Sequence, residues 1–136
     1  MKKVGILNYH DGINHGAFLQ CYALYNFIEI QGHSVEVINY KNSRHWFREY
    51  RYFLVRKNLV SIIRNIIKII KFKSCHRMMK MTAPLRSNKR INNYNYDCVL
   101  VGSDEVWNYT NPMPGYDITY FGEGINTDKI GSYAAS

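Results

Sequence analysis

Apolar and polar residues along the first 40 positions follow a pattern that predicts a strand, a helix and a second strand. A short apolar run predicts the first strand at residues 3–9, and alternating apolar positions predict the second at residues 34–40. Between them, Gly32 is a helix stop signal, and four apolar or small residues recur at helical spacing: Ala17, Cys21, Leu24 and Ile28. A strand–helix–strand unit this short requires parallel pairing through a right-handed crossover.

The rest of the chain predicts one amphipathic helix and two further strands. The strands are expected at residues 97–102 and 129–135. The helix is expected at residues 59–73, where five large aliphatic residues share one face: Leu59, Ile62, Ile63, Ile66 and Ile70. Residues 41–56 show no regular pattern and are expected to be irregular. Residues 74–93 are expected to form a connector with at most one more helical stretch.

These elements predict an α/β fold class, a Rossmann-like open parallel sheet with flanking helices. We expect a single domain over residues 1–136 with a basic helical insertion at about residues 41–93. The chain stops inside an apolar segment, so we also expect it to be the front part of a longer protein.

Charge is distributed unevenly along the 136 residues. The formal net charge is +8, and residues 41–91 hold 15 of the 18 Lys and Arg residues but only one acid, Glu49. Such a segment suits anionic partners, namely phosphates, acidic glycans, anionic lipid head groups or nucleic acid. A solvated charged face is the alternative interpretation.

Composition excludes several classes of protein. A hydrophobic share of 46% argues against disorder, and an odd number of cysteines without C-x-x-C spacing argues against a disulfide framework or a zinc site. Cys21 and Cys98 are expected to be buried, and no metal site is expected.

No segment has the roughly 18 apolar residues of a membrane span, and the apolar run at the amino terminus is too short for a signal peptide. A cytoplasmic location is therefore expected.

The loop after the first strand carries the first group of candidate site residues. In an open α/β sheet this junction lies at the carboxyl end of the strand, where such folds bind ligands. The amino end of the following helix favours phosphate or carboxylate, and His10 is the first candidate base because imidazole titrates near neutral pH. Four further residues are candidate substrate-binding groups: Asn14, His15, Gly16 and Gln20. Helix capping is the alternative role for Asn14, and Gln20 is expected to point towards the sheet.

The segment Gly102-Ser-Asp-Glu-Val-Trp107 carries the second group. It follows a predicted strand, so it should share one crevice with the first loop. Asp104 is a second candidate base or a ligand for a sugar hydroxyl, and Trp107 can stack on a ring. Ser103 is a candidate substrate contact, with helix capping as its alternative role.

The predicted amphipathic helix carries the third group, Arg64, Lys68 and Lys71. These cations could contact an anionic membrane surface or a lipid-linked phosphate. The alternative is that the helix packs its apolar face on the sheet and shows its charges to water.

Three stretches of the chain resemble the amino-terminal part of the polysaccharide pyruvyl transferase family. The first is Gly5-Ile-Leu-x-Tyr-His followed by Asn14-x-Gly-Ala-x-Leu-Gln-x-Tyr-Ala-Leu24. The others are Tyr96-Asp-x-x-x-Val-Gly-Ser-Asp-x-Val-Trp107 and Lys129-Ile-x-Ser-Tyr-Ala-Ala-Ser136. Their order and separation also fit the family, and the basic middle of the chain is the least similar part.

The resemblance implies the first of two Rossmann-type halves of a glycosyltransferase-B-like architecture, with the second, carboxyl-terminal domain absent from this chain. It implies transfer of a pyruvyl group from phosphoenolpyruvate, as donor substrate and without a cofactor, to hydroxyls of a bacterial surface polysaccharide or its lipid-linked precursor. Within that reaction we expect His10, or second Asp104, to act as the base. The partner implied by the resemblance is a glycan or lipid-linked glycan; the basic helix adds an expected contact with the inner face of an anionic membrane, and nucleic acid is not expected as a partner. An isolated amino-terminal half is expected to be inactive.

Two other function classes are compatible with parts of the sequence. A non-catalytic module could bind anionic membrane or polysaccharide through residues 41–91. A plain nucleotide-binding Rossmann domain is disfavoured, because the glycine-rich fingerprint of dinucleotide-binding domains is missing. In addition, Asn39-Tyr40 follows the second strand, where such domains have an acidic residue.

Overall fold

In a computed structural model of this protein, the described residues form a sheet of four parallel strands: β1 (Lys3–Leu7), β2 (Ser34–Val37), β3 (Cys98–Val101) and β4 (Ile130–Ser132). Their order across the sheet is β2-β1-β3-β4. Val4 pairs with Val35 on one side and with Cys98 on the other, so the central strand is held along its length. The parallel sheet with flanking helices confirms the predicted Rossmann-like α/β class.

The structure describes residues 1–10, 14–54, 58–102, 106–108, 110 and 117–135. For residues 49, 50 and 52–54 it describes the backbone but not the side chains. Two predicted site residues, Ser103 and Asp104, lie outside the described residues.

Helix α1 (His15–Ile30) connects the first two strands as the sequence predicts. The Asn14 side-chain oxygen accepts hydrogen bonds from the backbone N–H groups of Gly16 (3.0 Å) and Ala17 (3.3 Å) and so caps the helix. At the other end the chain turns at Gly32, whose φ of 80° favours glycine. Local capping chemistry therefore fixes both ends of α1.

Strands β1 and β2 are buried on both faces, as expected for parallel strands, whereas β3 is only partly covered on one face and β4 is largely exposed. One face packs against α1, mainly through Val4, Ile6, Val35 and Val37. The opposite face buries residues from β1, from β3 and from the segments between and after the strands: Leu7, Ile38, Tyr40, Leu85, Ile91, Tyr96, Val99, Val101, Val106 and Tyr120. The segment that contains Tyr120, for which the sequence analysis predicted no element, forms a 3-10 helix at Ile118–Phe121.

The connection between β2 and β3 contains two α-helices, and the prediction of irregular structure at 41–56 is wrong. Helix α2 spans Ser43–Leu54 and α3 spans Leu59–Cys75. The Asn42 side chain starts α2 by accepting a hydrogen bond from the His45 N–H at 2.7 Å. Within α2 a histidine is buried while Trp46 and Phe47 are exposed, so apolar periodicity could not reveal the helix.

The segment after α3 runs back along the outer edge of the sheet. A 3-10 helix at His76–Met78 leads into a stretch whose residues Met81 and Leu85 form isolated parallel bridges to Val37 and Tyr40. A second 3-10 helix, Asn88–Tyr94, then covers the far face and leads into β3. The predicted connector is therefore built from two 3-10 helices rather than one helical stretch.

Helix α3 does not bury its isoleucine face. Ile63, Ile66 and Ile70 are exposed, and Phe72, on another side of the helix, is its buried residue. Phe72 contacts Phe18 of α1, with ring centroids 5.7 Å apart. The alternative interpretation, in which the isoleucine face packs on the sheet, is therefore wrong, because the helix attaches to the body through Phe72 instead.

Smaller differences concern element ends and one thiol. Each of the four strands is shorter than predicted by two to four residues, which is the usual error of pattern-based boundaries. Cys21 is buried as expected, but Cys98 is only partly buried because its strand alternates between full and partial cover.

Candidate functional site

The carboxyl ends of β1, β2 and β3 lie side by side at one edge of the sheet. The Gly102 N–H donates to the Leu7 carbonyl at 3.1 Å, and the Ile38 N–H donates to the Ile6 carbonyl at 2.8 Å. Residues that follow each strand therefore meet at this edge. The geometry agrees with the crevice expected between the two loops, although Ser103 and Asp104 of that crevice are not among the described residues.

His10 is buried at this edge, with an exposed fraction of 1%. Its Nδ1 lies 3.2 Å from the Asn8 carbonyl oxygen, and its Nε2 lies 3.1 Å from Oδ1 of Asn39. Because a carbonyl oxygen can only accept, Nδ1 donates, and a neutral ring keeps its lone pair on Nε2. If the His10 ring is neutral, Nε2 accepts a hydrogen bond, and the Asn39 side-chain amide must be flipped to place its nitrogen there. If the ring is an imidazolium, Nε2 donates to the amide oxygen of Asn39. A substrate hydroxyl would reach Nε2 only in place of Asn39.

A second histidine, His76, holds the backbone beside this ring. Its Nε2 donates to the His10 carbonyl oxygen at 3.2 Å, and the two ring centroids are 5.7 Å apart. Phe18 and Phe72 pack on His76 with centroid distances of 6.0 and 5.4 Å. The start of α1 and the end of α3 are thus joined to the edge of the sheet by one cluster of rings. Sequence reasoning missed His76, because only the tertiary fold brings it to His10.

The predicted residues at the start of α1 remain at the surface. Asn14, His15 and Gly16 are exposed, and the Asn14 oxygen already caps the helix. The His15 ring lies against Phe72, with centroids 5.6 Å apart. The structure therefore brings these three residues together, and their role in substrate binding stays a prediction.

Gln20 does not point towards the sheet as expected; its side chain is exposed. The buried stripe of α1 is centred on Cys21. Successive helical residues are about 100° apart around the axis, so Gln20 is turned away from the centre of that stripe. The orientation in the prediction is wrong, while a contact with a ligand at the surface remains untested.

Trp107 is partly buried and held in place at the same edge of the sheet. Its Nε1 donates to the Tyr120 carbonyl at 2.8 Å, and its ring stacks on Phe121 with a 12° interplanar angle. The indole nitrogen is therefore used within the fold, and the stacking role predicted for Trp107 would depend on its remaining ring surface.

Asn8 is a polar residue that the sequence analysis did not single out. Its side chain is 0% exposed, and neither amide atom makes a hydrogen bond to a nitrogen or oxygen atom among the described residues. Its neighbour is the Cys21 thiol, whose pKa burial raises to about 12, and a weak hydrogen bond between the Asn8 side chain and that thiol lowers the pKa in part. A buried amide without a partner is costly and rare in folded proteins, so it marks this position as a candidate for ligand or loop contact.

We expect Asn8→Leu to raise the free energy of unfolding by about 1–2 kcal/mol, because it removes an unpaired buried amide at similar size. Urea unfolding followed by circular dichroism measures the change. Asn14→Leu is the control: it removes a helix cap and should cost about 1 kcal/mol. A loss of stability in Asn8→Leu would show instead that the amide is paired in solution.

A concavity of about 440 Å³ lies beyond the end of β2 at the start of α2. Its lining includes the cations Arg44 and Arg86 and the carboxylate of Asp117. Asp117 accepts hydrogen bonds from the Tyr40 hydroxyl (2.8 Å) and from the Asn42 amide (2.6 Å). Burial, with the nearby carboxylate, raises the pKa of Tyr40, so its hydroxyl stays a donor. Two guanidinium groups beside a satisfied carboxylate give this concavity net positive charge.

Arg86 is itself held in place at this concavity. Its guanidinium donates to the Lys41 carbonyl at 3.2 Å and lies 5.2 Å from the centre of the Trp46 ring. Guanidinium groups fixed in this way suit planar anions such as carboxylate and phosphate. No local pattern predicts that these two cations line one concavity, because Arg44 and Arg86 are distant along the chain.

Within the part of the chain that the structure describes, no three His, Cys, Asp or Glu side chains converge as a metal site would require. Among the same residues, no helix combines the length and the apolar character needed to cross a membrane.

The family model for polysaccharide pyruvyl transferase matches residues 14–134, which is most of the chain. The chain belongs to the polysaccharide pyruvyl transferase family. The resemblance implied by the three sequence stretches is thereby confirmed, and the protein is a transferase whose family acts on a polysaccharide acceptor. No curated protein and no solved structure matched the chain significantly.

The pyruvyl transferase match includes most of the candidate site but not all of it. Asn14, His15, Gly16, Gln20 and Trp107 lie inside the matched range. His10 precedes its first residue, so the family assignment carries no weight for that histidine. Its candidacy depends on its position at the carboxyl end of β1 and on its chemistry.

Proposed function

We propose that this pyruvyl transferase moves a pyruvyl group from phosphoenolpyruvate to a pair of hydroxyls on a bacterial surface or cell-wall polysaccharide, or on its lipid-linked precursor. The observation that carries the proposal is the family match over residues 14–134. The converging strand ends support it, because open α/β sheets bind their ligands at that edge.

The proposed reaction needs one base and one anion site. A first hydroxyl bonds to C2 of phosphoenolpyruvate while the methylene carbon takes up a proton and becomes a methyl group. A second hydroxyl then displaces the phosphate from C2, closing the ketal and releasing inorganic phosphate. The base removes the proton of the attacking hydroxyl, and cationic groups balance the phosphate and the carboxylate of the donor.

We assign the base to His10 first and to Asp104 second. His10 lies at the carboxyl end of β1, and its Nε2 is the ring atom that could take a proton. The proposal requires Asn39 to yield its place beside Nε2 to the acceptor hydroxyl. We propose that the following residues contact the substrate: Asn14, His15, Gly16, Gln20, Ser103 and Trp107.

The concavity that contains Arg44 and Arg86 is a proposed contact for an anionic group of donor or acceptor. It lies beyond β2, next to Tyr40, so it borders the same edge of the sheet as His10. Its two guanidinium groups suit the phosphate and the carboxylate that phosphoenolpyruvate carries.

We further propose that this domain supplies one wall of a cleft whose other wall is a second α/β half, as the glycosyltransferase-B resemblance implies. The reaction would take place in the cytoplasm at the inner face of the membrane, where a lipid-linked acceptor is available. The isolated 136-residue chain is then expected to be inactive. Pyruvyl transfer by the purified chain, with phosphoenolpyruvate and an acceptor glycan, would overturn that expectation.

Deleting the gene that encodes this chain should remove the pyruvate ketal from the surface polysaccharide, seen as loss of the ketal methyl signal in proton NMR. Restoring the gene should restore the signal. The His10→Ala form should restore far less, because loss of a general base costs about 10²–10⁴ in rate. Lys129→Ala, an exposed residue at the opposite end of the sheet, is the matched control and should restore it fully.

A non-catalytic module that binds anionic membrane or polysaccharide is the second candidate function. The observation that favours it is the concentration of 15 Lys and Arg in residues 41–91. It predicts an unchanged ketal signal after gene deletion. Such a result would contradict pyruvyl transfer by this protein.

A further inference from the structure

The outer face of α3 presents an unusual amount of aliphatic surface to solvent. Leu59 is 72% exposed and Ile70 is 63% exposed. We use "α3 apolar face" for the six large aliphatic residues that are exposed along the helix: Leu59, Val60, Ile63, Ile66, Ile67 and Ile70. A continuous apolar strip of this kind marks an interaction surface on a soluble domain.

Basic side chains border the α3 apolar face on both sides. At about 100° per residue, the six residues fill a sector of about 120° around the helix axis. Around the axis, Lys73 lies just outside one border of that sector, and Lys71 and Arg64 lie just outside the other. No acidic residue occurs between Leu59 and Cys75. An apolar sector with cations along its borders is typical of helices that lie in a lipid–water interface.

Charge distinguishes the possible occupants of this face. A second copy of the chain would bring its own Arg64, Lys68 and Lys71 towards the same basic borders, which is unfavourable. Anionic lipid head groups carry the opposite charge and attract those cations, while the acyl chains surround the isoleucine side chains. The charge pattern therefore favours a lipid surface over a dimer.

The attachment of α3 leaves its apolar face available. Phe72, on another side of the helix, packs against Phe18 and His76, and α2 packs alongside. The helix has 17 residues and so a length of about 25 Å, and it is not apolar enough to span a bilayer. It can therefore lie flat while the domain stays in water.

We infer that the α3 apolar face inserts into the surface of a membrane containing anionic phospholipid, with Arg64, Lys68 and Lys71 contacting the head groups. This inference does not depend on pyruvyl transfer, because it uses none of the residues assigned to the reaction. Binding would bring the domain to the surface on which lipid-linked glycans are found.

Cosedimentation with unilamellar vesicles tests the inference directly. The chain should bind vesicles of phosphatidylglycerol and phosphatidylcholine more than about tenfold better than vesicles of phosphatidylcholine alone, and added salt should weaken the binding. Equal binding to both vesicles, or binding to neither, overturns the inference.

Two pairs of variants separate lipid insertion from simple charge attraction. Arg64→Glu/Lys68→Glu/Lys71→Glu should lower binding more than about tenfold, whereas Lys89→Glu/Arg90→Glu/Lys129→Glu makes the same change in net charge elsewhere and should lower it far less. Ile66→Ser/Ile70→Ser should also abolish most binding, while Leu19→Ser/Phe27→Ser removes exposed apolar groups of α1 and should leave it intact. Circular dichroism checks that each variant is folded.

Other occupants give different results. A self-associating α3 apolar face would produce dimers in sedimentation velocity without lipid, lost in Ile66→Ser/Ile70→Ser. An acidic polysaccharide would bind regardless of that isoleucine substitution. Either result, without vesicle binding, overturns the inference.

Discussion

Gly102→Ala should destabilise the domain by more than about 4 kcal/mol, enough to unfold much of the population of a marginally stable protein. Gly102 follows β3 with a φ of 116°, a conformation that residues with a Cβ rarely adopt. A Cβ there would lie 2.3 Å from the Tyr133 carbonyl oxygen and 3.2 Å from Ala135. Because both neighbours belong to the chain that follows β4, relief requires moving backbone and not merely a side chain.

Gly32→Ala is the matched control for this substitution. Gly32 also has a positive φ, 80°, but no atom would lie within 4 Å of its added Cβ. It should therefore cost only the strain of the left-handed conformation, about 1–2 kcal/mol. Thermal and urea unfolding measure both variants. Equal losses in the two would contradict the close approach of the chain after β4 to Gly102.

Phe72→Ala should cost about 3–5 kcal/mol, because it removes a fully packed aromatic side chain and leaves a cavity. Phe72 is 4% exposed and contacts Phe18, His15 and His76 through ring pairs. It is the buried residue by which α3 is attached to the body. Urea unfolding should therefore show a lower midpoint with loss of the α3 helical signal.

Ile70→Ala is the control from the same helix. Ile70 is 63% exposed, and alanine is the better helix former, so the change in stability should stay within about 0.5 kcal/mol. If Ile70→Ala proved as costly as Phe72→Ala, the isoleucine face would be packed in solution. The orientation of α3 and the lipid inference would then both be wrong.

Strands and the first helix could be predicted because their own residues carry the information. The apolar run of β1, the spacing of Ala17 and Cys21 and the stop at Gly32 are local signals, and each lies in the predicted element. The periodicity of α3 was equally clear, and the helix is present. Periodicity identifies an apolar face but does not determine what covers it, so the burial of that face could not be deduced.

The site was predictable only in outline. Its location at the strand ends follows from the topology of parallel sheets, and His10 and Asn14 lie there. Two partners of His10, Asn39 and His76, are distant in sequence, and only the tertiary fold brings them to the ring. The unpaired amide of Asn8 and the Arg86 guanidinium were missed for the same reason, since no local pattern marks them.

The stretch that pairs with Val37 and Tyr40 limits where another polypeptide strand can join the sheet. Backbone hydrogen bonds from Val37 to Lys80 and from Leu85 to Asn39 occupy the outer side of β2. Such capped borders resist unwanted strand exchange between molecules. In the part of the chain that is described, β4 forms the other border of the sheet. A strand offered by another segment or another molecule would therefore join at β4, giving the sheet a single direction of growth.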